Sequence, residues 1–194
     1  MAEIAELYVF LHCDIEHSEQ IIYTMSKELT IEDIQEIVAK DESRYLELKQ
    51  TTGELYKAMT SACAFLNTDG GWVMFGITPK LKIVGQNVTD PTRQEIANAL
   101  RKFEPAIDIP VQYVEIPEKE GFYVIAMYFN PPAPTQAPYT FDARPYYKVE
   151  NTTAIMPREM FEARIRRVIP VCSVGRNSNA RYRWTKSTGT VYIR

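Results

Sequence analysis

The stretch "FLNTDGGWVMFGI", residues 65–77, marks the point where one pattern of apolar residues gives way to another. Upstream of it, Leu55, Met59, Cys63 and Leu66 recur at helical spacing, whereas "WVMFGIT" is apolar at nearly every position. This change predicts a helix that leads into a buried strand. The "TDGG" segment between them stops the helix, because glycine is common at helix C-termini and in tight turns.

Three further helices are predicted from capping residues and periodicity. A short amphipathic helix follows Thr30, its predicted N-cap, and carries acidic residues in its first turn. The segment "DPTRQEIANALRKFE" predicts a helix with Asp90 as its cap and Pro91 near its first position. The segment "PREMFEARIRRV" predicts a closing helix that begins at Pro157.

The remaining apolar segments predict strands. "RYLELKQ" alternates, so Glu47 and Lys49 share one side of a strand and Leu46 and Leu48 the other. "LKIVG" predicts a short partner for the buried strand, and "VQYVEIPEKEGFYVIAMYF" a hairpin that turns at "EKEG". "RPYYKVENTTAIM" predicts one more strand before the closing helix.

Strands outnumber helices in this order and pair mostly with their neighbours in sequence, which favours the α+β class. We expect a mixed or antiparallel sheet with helices packed on one side. The length of 194 residues suffices for one domain with a core. We expect residues 25–168 to form this domain, residues 1–24 to be an N-terminal extension, and residues 169–194 to be a basic C-terminal tail.

The composition is that of a soluble globular protein, with 45% hydrophobic and 24% charged residues. Three scattered cysteines and two histidines argue against a disulfide framework and a structural zinc site. No apolar run is long enough to span a bilayer, and the N-terminus lacks the positive charge of a secretory signal. These features predict a cytoplasmic protein with no membrane partner.

The net charge of −3 hides an asymmetry between the ends of the chain. Residues 1–24 contain five acidic residues and no lysine or arginine, whereas residues 166–194 contain seven lysines and arginines and no acidic residue. A basic tail can bind phosphate groups non-specifically, although a merely solvated tail is the simpler interpretation.

Two carboxylates and a lysine in "DESRYLELKQT" form a candidate site. In an extended strand, the Cβ atoms of Glu47 and Lys49 lie roughly 6.5–7 Å apart on the same side. If Glu42 converges on them, the two glutamates could hold Mg²⁺ or Mn²⁺ and Lys49 could face a phosphate. The simpler alternative is an ion pair on a solvated sheet face. The residues alone favour that alternative.

The glycine-containing turn provides a second candidate element. Asn67, Thr68, Gly70 and Gly71 lie between the helix end and the buried strand, where glycine lets a phosphate or another backbone come close. A helix C-cap followed by a tight turn explains the same residues without a ligand. The segment lacks the Walker A pattern, so the sequence argues against ATP as a ligand.

The combination of "ESRYLELK", a helix, "AFLNTDGGWVMFGI" and "KIVG" resembles the Schlafen AlbA-like domain, also described as an AlbA-type DNA-binding domain. The later segment "ARPYYKVENTTAIMPREM" is similar to the distal strand and closing helix of that family. The resemblance covers roughly residues 29–165. It implies an α+β domain whose sheet face handles nucleic acid, and bacterial members are described as transcriptional regulators or divergent ATP-binding proteins.

The resemblance also implies a candidate chemistry. In Schlafen ribonucleases, the residues that match Glu42, Glu47 and Lys49 join an aspartate soon after the "FGV" strand in a metal-assisted site that cleaves RNA. This chain instead continues with Thr78, Pro79 and non-acidic residues. The third acid is therefore missing, and we expect no nuclease activity.

The favoured hypothesis is a nucleic-acid-binding domain, of DNA or RNA, that works as a homodimer. The candidate contacts are cationic, aromatic or loop residues: Lys49, Asn67, Thr68, Gly70, Gly71, Lys80, Arg144, Tyr146 and Lys148. Five aromatic residues are candidates for a dimer interface, although a plain core is the simpler explanation: Trp72, Phe75, Tyr123, Tyr128 and Phe129. The alternatives are a metal-dependent ribonuclease and a divergent ATP-binding protein.

Overall fold

The structure is a computed structural model, and it describes residues 28–39, 44–133 and 136–168. Four helices occur in this part: α1 (Ile31–Ala39), α2 (Leu55–Leu66), α3 (Asp90–Leu100) and α4 (Arg158–Val168). The strands are β1 (Leu46–Lys49), β2 (Gly71–Phe75), β3 (Gln86–Asn87), β4 (Phe103–Glu104), β5 (Gln112–Glu115), β6 (Phe122–Phe129), β7 (Thr140–Phe141), β8 (Tyr146–Val149) and β9 (Thr152–Ile155). The predicted extension, tail and residue Glu42 lie outside the described residues.

The central sheet is mixed. Strand β1 pairs in parallel with β2 through the α2 crossover, and β2 pairs antiparallel with β6. Strand β5 lies along the other edge of β6, and the short β3 continues the edge that β2 occupies. The described residues also form two separate two-stranded sheets, one of β4 and β7 and the other of β8 and β9. The predicted α+β class with a mixed sheet is confirmed.

The helices do not all pack on one side, contrary to the sequence prediction. Helices α2 and α3 cover the face that includes Val73 and Phe75, whereas α1 covers the opposite face through Ile34 and Val38. The physical reason lies in β2 and β6, which are apolar on both faces and therefore need cover on both. Met74, on the α1 side, is fully buried.

One local prediction at a turn is wrong, and a second is confirmed only in part. The cap of α3 is Thr89 rather than Asp90, because the Thr89 hydroxyl accepts from the backbone N–H of Thr92 in a capping box. The "LKIVG" segment does pair with the end of the buried stretch, through a bridge between Ile77 and Ile83, but it forms no regular strand, and the next strand, β3, begins at Gln86. A turn with Leu81 at a φ of 60° separates the two sides of the bridge.

The segment predicted as a single distal strand is a hairpin. Strands β8 and β9 pair antiparallel, with Lys148 opposite Thr153, and Glu150 turns the chain at a φ of 53°. The hairpin packs on α2, where the Ser61 and Thr153 hydroxyls lie 3.0 Å apart. This packing places β8 against the same face as the charged side of β1.

Most of the aromatic residues considered for a dimer interface belong to the core. Phe75 and Phe129 are fully buried, and Tyr128 is buried against Trp72 with 5.0 Å between the ring centroids. Trp72 and Tyr123 are partly buried. The simpler explanation, a plain core, therefore accounts for Phe75, Tyr128 and Phe129.

Candidate nucleic-acid interface

A cluster of three charged side chains lies where β1 meets β8. Lys49 Nζ is 2.7 Å from Glu47 Oε1, and Lys148 Nζ is 3.8 Å from Glu47 Oε2. Glu47 and Lys49 point to the α2 side of the sheet, because they pair in register with the core residues Val73 and Phe75. The strand alternation predicted for Glu47 and Lys49 is thus confirmed, and the fold adds Lys148 from a distant segment.

Lys148 has less access to solvent than the other two side chains of the cluster. The side chains of Glu47 and Lys49 are each 18% exposed, whereas that of Lys148 is only 4% exposed. Lys148 Nζ lies 4.8 Å from the centroid of the Phe65 ring, at the end of α2. Burial lowers the pKa of Lys148; the Glu47 carboxylate raises it and the charge of Lys49 lowers it further. Lys49 is therefore the lysine that a ligand reaches first.

Both carboxylate oxygens of Glu47 are engaged in ion pairs, one with Lys49 and one with Lys148. The described residues include no group of three or more histidine, cysteine, aspartate or glutamate side chains that could hold a metal ion. Glu42, the other predicted metal ligand, is not among the described residues. Within the part of the chain that the structure describes, Glu47 therefore forms ion pairs with two lysines and belongs to no cluster of metal ligands.

The loop after α2 is built around the side chain of Asn67, which is buried. Its Nδ2 donates to the carbonyls of Tyr139 and Tyr146, each at 2.8 Å, and its Oδ1 accepts from the N–H of Tyr139 at 2.8 Å. The neighbouring Thr68 hydroxyl donates to the carbonyl of Ala64. The Asn67 side chain therefore ties the helix end to Tyr139 and to the first residue of β8, and these bonds occupy its polar atoms.

The two glycines of this loop are required by close packing. A Cβ atom on Gly71 would lie 2.6 Å from the carbonyl oxygen of Tyr45 and 2.9 Å from the Phe65 ring. Gly70 has a φ of 77°, and a Cβ there would lie 2.8 Å from Pro131. The atoms that approach these two glycines closely are thus protein atoms. This agrees with the alternative that the sequence left open, a helix C-cap followed by a tight turn.

The other predicted contact residues do not join the charged cluster through any described contact. Tyr146 is buried, and its carbonyl accepts from Asn67. Lys80 is exposed in the turn between β2 and β3, and Arg144 is exposed beside β7. Among the predicted nucleic-acid contacts that the structure describes, Lys49 and Lys148 are the two that meet in the charged cluster, with Glu47 between them.

Sequence reasoning missed a second group of cations near the same loop. Arg44, Arg164 and Arg167 line a cleft of about 400 Å³ beside Asp69. Arg164 and Arg167 are three residues apart in α4 and so lie on one helix face, a spacing that the sequence already contained. Arg44 joins them only because the tertiary fold brings the start of β1 to the end of α2.

A known protein family matches the part of the chain that contains these residues. The family described as Schlafen, AlbA_2 matches residues 42–157, which include β1, the Asn67 loop and the β8–β9 hairpin. The chain belongs to the Schlafen AlbA_2 family. The resemblance inferred from the sequence motifs is confirmed. Membership of this family indicates a domain related to nucleic acids.

Solved structures and curated proteins add little to this assignment of the Schlafen AlbA_2 domain. The DIP2311 protein from Corynebacterium diphtheriae is similar at 18% identity with a TM-score of 0.46. The match covers 71% of this chain and 33% of that one, so the chain spans about a third of that protein. No curated protein matches the chain. Among the described residues of the Schlafen AlbA_2 domain, no helix has the length and apolar character to cross a membrane.

Proposed function

We propose that this domain binds nucleic acid and that Lys49 contacts the phosphate backbone. The observation that carries the proposal is the cluster in which one carboxylate, Glu47, lies between the ammonium groups of Lys49 and Lys148. Two positive charges and one negative charge leave the cluster cationic. A cationic site at the protein surface attracts phosphate, which dominates the affinity of most nucleic-acid-binding proteins.

The proposed roles of the three residues differ. Lys148 is almost fully buried and compensates the charge of Glu47 from inside the domain. Glu47 then fixes the position of Lys49 without repelling a phosphate, because its own charge is neutralised from behind. Lys49 has the more exposed side chain of the two lysines and supplies the ammonium group that meets the phosphate. Partial burial strengthens these interactions, since charges interact more strongly where water is excluded.

The proposed activity is binding rather than cleavage, in a regulatory protein that acts on DNA or RNA. Two features support this choice. The sequence after β2 lacks the acid that the Schlafen ribonucleases carry, and Glu47 is engaged by two lysines. The homodimer expected from the sequence belongs to this proposal as well. Several of the aromatic residues considered for the dimer interface are buried in the core and do not support a dimer. Light scattering of the purified protein measures the oligomeric state directly.

The experiment measures binding and cleavage together. Labelled single-stranded RNA, tRNA and duplex DNA are incubated with the full chain, each with Mg²⁺ or Mn²⁺ and with EDTA. We expect a mobility shift without cleavage. Substitution Lys49→Ala should weaken binding by about five- to tenfold, because it removes one charge-assisted contact with phosphate.

The matched control is Lys102→Ala, which removes the same charge from an exposed position at the end of α3. This variant should bind within about twofold of the unmodified protein, as expected for an exposed charge distant from the ligand. Equal effects of the two substitutions would contradict a role for the cluster. Metal-dependent cleavage that disappears in Glu47→Ala would replace the binding proposal with a nuclease.

A further inference from the structure

The cleft beside the Asn67 loop is a cationic pocket that the proposed phosphate contact does not use. It lies where the end of α2 faces α4 and the proline-rich segment after β6, and Pro132 and Pro138 contribute to its walls. Its volume of about 400 Å³ falls within the range of roughly 300–1,000 Å³ that is typical of small-ligand sites. The pocket can therefore hold a group as large as a nucleotide.

The charges around this pocket favour an anion with more than one negative charge. Three arginines line it, Arg44, Arg164 and Arg167, and they face a single carboxylate, that of Asp69. Asp69 is already ion-paired with Arg44. Arg167 forms no hydrogen bond or ion pair with the described part of the chain. The two arginines of α4 therefore leave the pocket with a net positive charge.

The position of Arg164 is fixed before any ligand binds. Its Nη1 donates to the backbone carbonyl of Asn67 at 2.6 Å, and the Asn67 side chain is itself held by hydrogen bonds to the backbones of Tyr139 and Tyr146. This contact uses one of the five N–H groups that a guanidinium carries, so the group retains further donors. A fixed guanidinium loses little entropy when it binds a phosphate.

We propose that this pocket binds the terminal phosphate of a nucleic-acid strand. A phosphate monoester carries about −1.5 to −2 charges at pH 7, more than the single charge of an internal phosphodiester. Arginine recognises its oxygens with paired, charge-assisted hydrogen bonds. This inference rests on the proposed function, since the same strand would continue from the pocket to Lys49.

The placement of the two sites permits one strand to contact both. Each adjoins the last turn of α2, where Phe65 lies against Lys148 and Asn67 lines the pocket. Arg44 precedes Lys49 by five residues, which corresponds to at most about 17 Å of extended chain. A short oligonucleotide spans such a distance. The end of the strand, rather than its interior, is then what the pocket selects.

The test compares oligonucleotides of one sequence that carry a 5′-phosphate, a 3′-phosphate or hydroxyl groups at both ends. Fluorescence anisotropy with the full chain gives each affinity, and AMP and inorganic phosphate are added as competitors. We expect one phosphorylated end to bind at least about fivefold more tightly than the hydroxyl form. The preference should disappear in Arg167→Gln and persist in Arg166→Gln, its exposed neighbour outside the pocket.

A second variant separates ligand binding from a structural role of the arginines. Substitution Asp69→Asn removes the carboxylate and releases Arg44, so it should increase the preference for the phosphorylated end. AMP that binds more tightly than the phosphorylated oligonucleotide would identify a free nucleotide as the better ligand and overturn end recognition. Equal affinity for all three oligonucleotides would overturn the inference as well.

The failure of this inference can be distinguished from failure of the proposed function. Lys49→Ala should weaken binding of phosphorylated and hydroxyl forms by the same factor, which leaves their ratio unchanged. If the ratio is near one but Lys49→Ala still weakens binding, only the pocket proposal fails. If the ratio is large and Lys49→Ala has no effect, the cluster around Glu47 is not the phosphate contact.

Discussion

At the scale of single residues, Lys148 is the most unusual group in the described part of the chain. Its side chain is only 4% exposed, although a lysine is almost never fully buried without a partner. Its partner is Glu47, and its ammonium group also lies 4.8 Å from the centroid of the Phe65 ring. A buried ion pair is weak support for stability, because desolvation offsets much of its attraction. Under the proposed function, Lys148 instead compensates the charge of Glu47 in the cluster that these two residues form with Lys49.

The lowered pKa of Lys148 predicts a pH dependence of binding. A lowered pKa means that this lysine loses its proton at a lower pH than an ordinary lysine, whose pKa is 10.5. Once Lys148 is neutral, the Glu47 charge is no longer compensated from inside, and the cluster attracts phosphate less. Affinity for nucleic acid should therefore fall as the pH rises above 7, and the fall should begin at a lower pH than the titration of an ordinary lysine.

The measurement is an anisotropy titration at constant ionic strength, with circular dichroism at each pH to verify folding. Substitution Lys148→Met keeps a similar side-chain volume and removes the titrating group. It should bind weakly at every pH in this range, with a flat profile. A Lys148→Met variant with the same pH profile as the unmodified protein would show that another group is responsible.

At the scale of secondary-structure elements, the connection from α2 to β2 determines the geometry of the site. The chain turns through Gly70 and Gly71 so closely that β2 begins beside the carbonyl of Tyr45. The N–H of Trp72 donates to that carbonyl at 2.7 Å, which begins the pairing of β1 with β2. This register places Glu47 and Lys49 beside Val73 and Phe75, on the side that β8 covers.

Substitution Gly71→Ala should destabilise the domain by about 2 kcal/mol or more, because its Cβ would collide with backbone and ring atoms that cannot easily move. Denaturant unfolding followed by circular dichroism measures this loss. Gly53→Ala is the matched control, since the nearest atom to its Cβ is a side-chain hydroxyl at 3.2 Å. If both variants unfold at the same denaturant concentration, the close approach at Gly71 is not limiting.

At the scale of the whole molecule, the balance of charge restricts how the domain can bind nucleic acid. The chain has a net charge of −3, so it lacks the general positive field of a strongly basic DNA-binding protein. The cations that the fold does concentrate are the Lys49 cluster and the arginine pocket. Binding should then depend on a few local contacts with phosphate.

This arrangement predicts a modest salt dependence. With about three or four phosphate contacts, a plot of log affinity for a single strand against log salt concentration should have a slope of about −2 to −3. Lys49→Ala should reduce the steepness by about 0.7, the value expected for one contact. A slope steeper than about −5 would mean that many more cations take part, such as those of residues 169–194.

The sequence alone predicted the class of the fold and the family, because both depend on local patterns. The helical spacing before "TDGG", the alternation in β1 and the hairpin of β5 and β6 each follow from residues that are close in the chain. The pairing of Glu47 with Lys49 is local as well, since two residues of a strand that are two apart share a side.

The tertiary structure decided what those residues face. Lys148 reaches Glu47 because the β8–β9 hairpin packs on α2, about a hundred residues further along the chain. Arg44 and the arginines of α4 likewise meet because the fold brings distant segments together. Helix α1 covers the second face of the sheet because both faces of β2 and β6 are apolar. Contacts between distant segments depend on packing and close approach, and no periodicity in the sequence encodes them.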